Sequence, residues 1–232
     1  MLQTLSIDPS MPKIVPVPNG PLYLINDSRP QVVANIEGSD GQPVKAIIKI
    51  ALCRCGGSKN KPICDGTHVS LKFSSNNDFP ALNDANVRAT PPDKRKNYAA
   101  KESITVHDNR RICSHSAECI RNLESVFRLG ERPWINPDGD DAIKIIETIR
   151  KCPSGALSYS IDGVEYRDDK SRKPKIIATR NGPYIVTGNI ELEGVENWAE
   201  GASKEHYTLC RCGASKNKPF CDGTHLGIKF RG

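Results

Sequence analysis

Two sixteen-residue stretches of this 232-residue chain share fourteen letters, "CRCGGSKNKPICDGTH" at 53–68 and "CRCGASKNKPFCDGTH" at 210–225. The groups that could bind a metal are Cys53, Cys55, Cys64 and His68 in the first copy and Cys210, Cys212, Cys221 and His225 in the second. Two cysteines separated by one residue can bring their thiolates to one metal atom. If "CDGTH" opens a helical turn, its Cys and His share a face.

Each copy therefore offers two ligand pairs that face each other across a polar loop. Two irons bridged by two sulfides need such a pair of pairs, but three Cys and one His also suit a tetrahedral zinc site. Spacing alone leaves both metals open. A disulfide between Cys53 and Cys55 is disfavoured, because so short a ring is strained.

The spacing C-x-C-x8-C-x3-H with "CDGTH" resembles the CDGSH iron–sulfur (mitoNEET-like) family, with Thr67 and Thr224 in place of the family's Ser. The resemblance is most specific over 53–68 and 210–225. It implies one [2Fe-2S] cluster per copy and lowers the weight of zinc. In the first copy it assigns Cys53 and Cys55 to the inner iron and Cys64 and His68 to the outer iron, and in the second it assigns the corresponding Cys210, Cys212, Cys221 and His225.

One imidazole in place of a thiolate makes such a cluster less negative, so its potential should exceed that of an all-Cys cluster. Imidazole also titrates near neutral pH. We therefore expect acid-labile clusters.

Three further cysteines, Cys113, Cys119 and Cys152, lie in "CSHSAEC" and "CPSGAL". This segment resembles a divergent single-cluster ferredoxin in which Ser116 replaces the middle Cys. The resemblance implies a third cluster of [3Fe-4S] or [4Fe-4S] type held by these three cysteines, with His115 or Ser116 as candidate fourth ligand. The alternatives are that His115 and Ser116 only fill space and that the three cysteines bind nothing.

The repeat extends beyond the motifs, since "NGPLYLI" at 19–25 parallels "NGPYIVT" at 181–187. We predict an α+β protein of three domains: a first CDGSH-type module at 13–75, a ferredoxin-like domain at 101–168 and a second CDGSH-type module at 174–232. Each module should be rich in β-strand, with strands "AIIKIALC" and "HYTLC" leading into the cysteines and "SLKF" or "GIKF" following the histidine. A module of this size buries little surface alone, so we expect the two to pair pseudo-symmetrically.

The middle segment has a different pattern. We predict a strand at 103–108 and helices at 116–129 and 140–152, the second with Ile143, Ile146 and Ile149 as its buried stripe. A hairpin should turn at Asp162–Gly163.

Around these elements, residues 89–98 read as a linker, because they are rich in Pro and charge. His107 and His206 are predicted to be surface residues, and Trp134 and Trp198 to pack beside loops.

Composition limits the remaining classes. The formal net charge of +6 (33 basic minus 27 acidic residues) is mild, and its Lys/Arg runs lack interleaved aromatics, so we expect no nucleic-acid partner. We found no apolar run of about 18 residues, so we expect no membrane helix. The N-terminus resembles neither a secretory signal nor a presequence, which predicts a cytoplasmic protein.

These observations favour a non-enzymatic electron-transfer protein whose partner is a redox protein. One alternative is a cluster donor or redox sensor that passes its cluster to an apo iron–sulfur acceptor. A second alternative is a zinc-stapled scaffold.

Overall fold

The structure, a computed structural model, describes residues 12–25, 35–44, 49–77, 91–101 and 104–232. These residues form three small sheets and four short helices, which is a mixed α and β composition. None of the described helices has the length and apolar character needed to cross a membrane.

The strands are β1 (Lys13–Pro16), β2 (Leu22–Ile25), β3 (Asn35–Glu37), β4 (Pro43–Val44), β5 (Lys49–Leu52), β6 (Lys96–Ala99), β7 (Ile104–Asp108), β8 (Leu157–Ile161), β9 (Val164–Tyr166), β10 (Lys175–Ala178), β11 (Tyr184–Thr187), β12 (Glu191–Leu192) and β13 (Tyr207–Leu209). The helices are α1 (Thr67–Ser70), α2 (Glu118–Asn122), α3 (Ala142–Arg150) and α4 (Thr224–Gly227). Two 3-10 turns occupy Arg110–Ile112 and Pro137–Gly139.

The first sheet has the order β12-β1-β2-β5, so one of its strands comes from the far end of the chain. β1 pairs antiparallel with β2 and parallel with β12, with Ile14 opposite Leu192. An ion pair between Lys13 and Glu193 lies beside this junction.

The second sheet has the order β13-β11-β10-β3-β4, so two of its strands, β3 and β4, come from the N-terminal end of the chain. β10 pairs antiparallel with β11 and parallel with β3, with Ile176 opposite Ile36. Each sheet thus contains a strand from the opposite end of the chain. One hydrophobic core, which includes Leu24 and Val186, spans both sheets.

The third sheet is the antiparallel meander β6-β7-β8-β9 in the middle of the chain. Its last hairpin turns at Asp162 (φ 50°) and Gly163 (φ 78°), and the predicted hairpin is therefore confirmed. A separate core, which includes Val106 and Phe127, packs this sheet against α3.

The predicted helix at 116–129 is wrong in extent, because α2 ends at Asn122. Leu123 leaves the helical region with φ −155° and ψ 74°, and Phe127 then forms a β-bridge with Ile135. The apolar spacing that indicated a helix instead places Leu123 and Phe127 in the core of the middle segment.

The predicted helix at 140–152 is present as α3, and Asp141 caps it by accepting a hydrogen bond from the Lys144 backbone N–H at 3.0 Å. Its predicted stripe is partly wrong, because Ile143 is 69% exposed. Ile149 is buried as predicted, and Ile145 and Thr148 complete the buried face.

The strands leading into the cysteines are present as β5 and β13, although 46–48 of the first lie outside the described residues. The strands predicted after the histidines are wrong. The chain forms α1 and α4 there and then turns at Lys72 (φ 48°) and Lys229 (φ 53°). The predicted linker at 89–98 also fails in part, because Lys96–Ala99 pairs with β7, while 89–90 lie outside the described residues.

Candidate metal centres

The first motif places its four ligand groups in two pairs. The sulfurs of Cys53 and Cys55 are 3.7 Å apart, and the Cys64 sulfur is 3.4 Å from Nδ1 of His68. The second pair depends on α1, because Gly66 caps the helix in the left-handed region (φ 87°) and Asp65 accepts a hydrogen bond from the Thr67 N–H at 3.0 Å.

The second motif has the same geometry. The sulfurs of Cys210 and Cys212 are 3.8 Å apart, and the Cys221 sulfur is 3.5 Å from Nδ1 of His225. Ligands about 2.0 to 2.3 Å from one tetrahedral metal lie roughly 3.5 to 3.8 Å from each other, so each pair has the separation that one metal atom requires.

The two pairs of each motif do not merge into one four-ligand sphere. Among the described residues, the only group of three His, Cys, Asp or Glu ligand atoms within 4.8 Å of one another is Asp168, Glu205 and His206. Three ligands of either motif therefore do not converge on a single point. The ligands of each motif are therefore held as two pairs rather than as one group of four.

The sulfurs are free thiols. Within each Cys pair, the contact between the two sulfurs lowers the pKa of Cys53 and Cys210 and raises the pKa of Cys55 and Cys212, so one thiol of each pair loses its proton before the other. Backbone N–H groups also point at sulfur, with Gly57 donating to Cys55 at 3.4 Å and Gly223 donating to Cys221 at 3.4 Å. Hydrogen bonds to thiolate sulfur are typical of iron–sulfur sites.

The arginine inside each "CRC" links its motif to the turn between the first two strands of the module, β1–β2 or β10–β11. Arg54 Nε donates to the Gly20 carbonyl at 2.7 Å, and Arg211 Nη1 donates to the Thr179 carbonyl at 2.7 Å. Both arginines are buried. Sequence reasoning missed this role, although the repetition of the letter in both copies was a usable signal.

The two motifs meet through their backbones. Cys55 and Cys212 form an antiparallel β-bridge. A side chain at Gly56 would come within 2.4 Å of the Cys212 carbonyl oxygen, and one at Gly213 within 2.5 Å of the Cys55 carbonyl oxygen. Both glycines have positive φ, so the close approach of the motifs requires glycine on each side.

Tyr184 adds a contact from the second module to the first motif. Its hydroxyl lies 2.8 Å from the Cys53 carbonyl oxygen and 3.0 Å from that of Pro62, and the side chain is fully buried. Sequence reasoning took Tyr184 as a strand residue only.

The three central cysteines line a cavity of about 540 Å³ together with Trp134, His115 and Ser116. The cavity thus brings Cys113, Cys119 and Cys152 to one space and leaves both fourth-ligand candidates beside it. Burial raises the pKa of Cys113 to about 12 and that of Cys119 to about 11, so metal binding there must displace protons. The His115 N–H donates to the Cys113 sulfur at 3.4 Å.

His115 also contacts the second motif. A side chain at Gly223 would come within 2.2 Å of the His115 ring, so the imidazole packs directly on that glycine. The amide of Asn217 donates to the Arg111 carbonyl at 3.3 Å, and Leu226 lines the central cavity. The second motif is therefore covered by the middle segment, and His225 is only 7% exposed.

The first motif lacks this cover. Asp65 and Gly66 are exposed and His68 is half-buried, whereas the equivalent Asp222, Gly223 and His225 are all buried. Burial lowers the pKa of His225. The two motifs thus have the same internal geometry but differ in solvent exposure: the first is partly exposed and the second is buried.

The surface prediction for His107 and His206 is wrong, because both are buried. His107 lies 2.8 Å from the Asn97 amide oxygen and 2.6 Å from the Ser160 hydroxyl. His206 Nδ1 lies 2.7 Å from Glu205, which also pairs with Arg172 at 3.2 Å. The Glu205 carboxylate is thus already neutralised by a guanidinium, and we assign this group a structural role.

Comparison with known proteins agrees with these sites. The family described as "Iron-binding zinc finger CDGSH type" matches residues 19–69 and 181–226, and that described as "Divergent 4Fe-4S mono-cluster" matches residues 99–162. The chain is 45% identical over 58 residues to the "Uncharacterized protein YjdI" of Escherichia coli (strain K12), across 25% of this chain and 76% of that protein. The protein of that name from Escherichia coli O157:H7 matches to the same extent. No solved structure matches the chain significantly.

The sites and these matches define an iron–sulfur protein. The chain belongs to the CDGSH-type iron-binding family and carries two copies of its motif, with a divergent single-cluster 4Fe-4S domain between them. The resemblance inferred from the sequence is therefore confirmed.

Proposed function

We propose that this protein is a non-enzymatic electron carrier with a [2Fe-2S] cluster in each CDGSH-type module and a third, cuboidal cluster in the middle segment. Cys53, Cys55, Cys64 and His68 would hold the first cluster, and Cys210, Cys212, Cys221 and His225 the second. Bound clusters of this kind accept and release single electrons.

The observation that carries the proposal is the division of each motif into two ligand pairs. Separations of 3.4 to 3.8 Å within the pairs fit one metal each, whereas no three ligands of a motif lie within 4.8 Å of one another in the described structure. A pair of bridged irons requires this spacing, and a zinc staple requires all four ligands around one point.

The central cluster is supported by the three cysteines around one cavity. Cys113, Cys119 and Cys152 would supply three ligands, and the structure favours neither His115 nor Ser116 as the fourth. A [3Fe-4S] cluster needs only the three thiolates, whereas a [4Fe-4S] cluster needs a further ligand on its fourth iron.

We further propose that the modules at 13–75 and 174–232 pair pseudo-symmetrically, with the domain at 101–168 alongside. The reciprocal parallel pairings of β1 with β12 and of β10 with β3 support this arrangement. The reciprocal packing of Gly56 and Gly213 on the opposite cysteine carbonyls supports it as well. This pairing buries surface that a single module would leave in water.

An anaerobic reductive titration of the full chain, followed by EPR, tests the proposal. We expect signals from two [2Fe-2S] centres and one central cluster that appear on reduction and disappear on reoxidation. Metallated protein that accepts no electrons from dithionite would contradict it.

The second candidate function is cluster donation or sensing, which the half-buried His68 and exposed Asp65 favour because a cluster there would be open to an acceptor. Anaerobic mixing with an apo ferredoxin separates the two. Clusters that stay in the chain while electrons cycle support a carrier, and loss of a cluster to the apo ferredoxin supports a donor.

A further inference from the structure

The two motifs present the same surface residues to different surroundings. In the first module, Lys59, Asp65, Gly66, Val69 and Lys72 form a continuous exposed surface, which we call the first-motif face. The Lys59 N–H donates to Asp65 at 2.8 Å and the Lys72 N–H to the Val69 carbonyl at 3.0 Å, so these residues adjoin one another.

Part of the equivalent surface of the second module is covered within the chain. Asp222 is 5% exposed and the His115 ring lies on Gly223, while Leu226, which is 51% exposed, borders the central cavity. A cysteine-bearing domain therefore already sits where an outside redox protein would have to dock on this module.

The first-motif face has features suited to docking a separate redox protein. Val69 is 73% exposed, against 51% for Leu226 at the same position of the second module. The exposed Lys59 and Lys72 rim it, and the whole chain carries a net charge of +6. A cationic rim around a small apolar centre favours a partner with an acidic surface.

We propose that an acidic iron–sulfur protein docks on the first-motif face rather than on the matching face of the second module, where the chain's own middle segment covers Asp222, Gly223 and His225. This inference rests on the proposed function. In the step that follows docking, one electron passes from the partner's reduced cluster to an oxidised cluster of this chain, and no atom is transferred.

The chain offers a matched pair of variants. Lys72 and Lys229 occupy the same motif position, are both exposed and have similar left-handed backbones, with φ of 48° and 53°. K72E and K229E therefore make the same charge change at equivalent positions of the two modules. V69E and I143E form a second pair, because Val69 is 73% and Ile143 69% exposed.

The experiment is stopped-flow reduction of the anaerobic full chain by a reduced acidic [2Fe-2S] ferredoxin at low salt. We expect K72E to lower the second-order rate constant about tenfold and to flatten its salt dependence, because charge steering acts on association. V69E should also slow the reaction, while K229E and I143E should match the unsubstituted protein.

Equal rates for K72E and K229E, or a larger effect of K229E, would overturn the proposal. Iron and sulfide content of each variant excludes misfolding as the cause of a slower rate. Reduction by dithionite tests the proposed function separately. If dithionite reduces the clusters but K72E and K229E react with the ferredoxin at the same rate, only the proposed docking surface is contradicted. Failure of dithionite reduction in the unsubstituted protein contradicts the electron-carrier proposal itself.

Discussion

Cys55 and Cys212 face each other in an antiparallel β-bridge at the junction of the two modules. Each is a candidate ligand, and each is followed by a glycine with positive φ that packs on the opposite carbonyl group. At this bridge the two candidate metal sites meet through their backbones, and neither glycine position has room for a side chain.

Substitution at this junction should therefore destabilise the protein. The added methyl of G213A would lie 2.5 Å from the Cys55 carbonyl oxygen, whereas that of G66A, also at positive φ, would meet nothing within 4 Å. We expect G66A to cost about 1 kcal/mol of backbone strain and G213A about 2 kcal/mol more from the clash. Anaerobic thermal unfolding measures both, and equal losses would show that the bridge contributes nothing.

The contact between His115 and Gly223 gives a second prediction. The methyl group of G223A would lie 2.2 Å from the imidazole carbon, so the ring must move and the cavity that it lines must change. We expect G223A to alter the EPR signal of the central cluster, and the equivalent G66A to leave that signal unchanged.

A double-variant cycle tests the physical cause of that effect. If the obstacle is the ring, H115A/G223A should recover most of the stability that G223A loses. Additive losses in the double variant would mean that the ring and the glycine do not interact.

These contacts also show what the sequence can predict about this fold. Features set by neighbouring residues could be predicted. The Cys-x-Cys and Cys-x3-His spacings predicted the ligand pairs of both motifs, and Asp162–Gly163 predicted a hairpin. Contacts between distant segments could not be predicted, because no local pattern indicates that the Tyr184 hydroxyl donates to the Cys53 carbonyl or that His115 packs on Gly223.

The errors have a related origin. The apolar spacing at 116–129 fits a helical face, but a tertiary β-bridge between Phe127 and Ile135 uses the same residues to fill the core. His206 was taken as a surface residue because its partners Ser203 and Glu205 carry no motif signal. In both cases tertiary contacts, which the local sequence does not reveal, determine the structure: they end the helix early and bury His206.

The buried group around Glu205 gives a stability prediction. Burial favours the neutral Glu205 carboxyl, but the contacts with His206 at 2.7 Å, the Gly188 N–H at 3.1 Å and Arg172 at 3.2 Å together hold its pKa below the ordinary value. E205Q removes the closer acidic partner of Arg172 and leaves only Asp169 at 3.9 Å, so it should cost about 2 kcal/mol. E196Q, at an exposed glutamate, is the control, and thermal unfolding that fails to separate the two variants would refute the role.

Asp108 gives a prediction about how stability depends on pH. Its side chain is fully buried, and burial outweighs the nearby Arg110 and raises the pKa of the carboxyl from 3.8 to about 6. The folded chain therefore binds this proton more tightly than the unfolded chain, so the contribution of Asp108 to stability decreases as pH rises from about 4 to 6.

The variant D108N removes that titration. We expect the stability of the unsubstituted protein relative to D108N to decrease by up to about 3 kcal/mol between pH 4 and 7. The difference in melting temperature between the two proteins at each pH measures it, because both carry the same candidate metal sites. A difference that is constant with pH, or that grows in favour of the unsubstituted protein, would contradict the assignment.

The measurement that tests the central claim most directly is the acid-labile sulfide and iron content of freshly purified, oxygen-protected protein. Two ligand pairs per motif predict two irons and two sulfides for each module, with further iron and sulfide from the central site. The sample should be red-brown. A fully metallated, colourless protein that contains zinc and no inorganic sulfide would contradict the account.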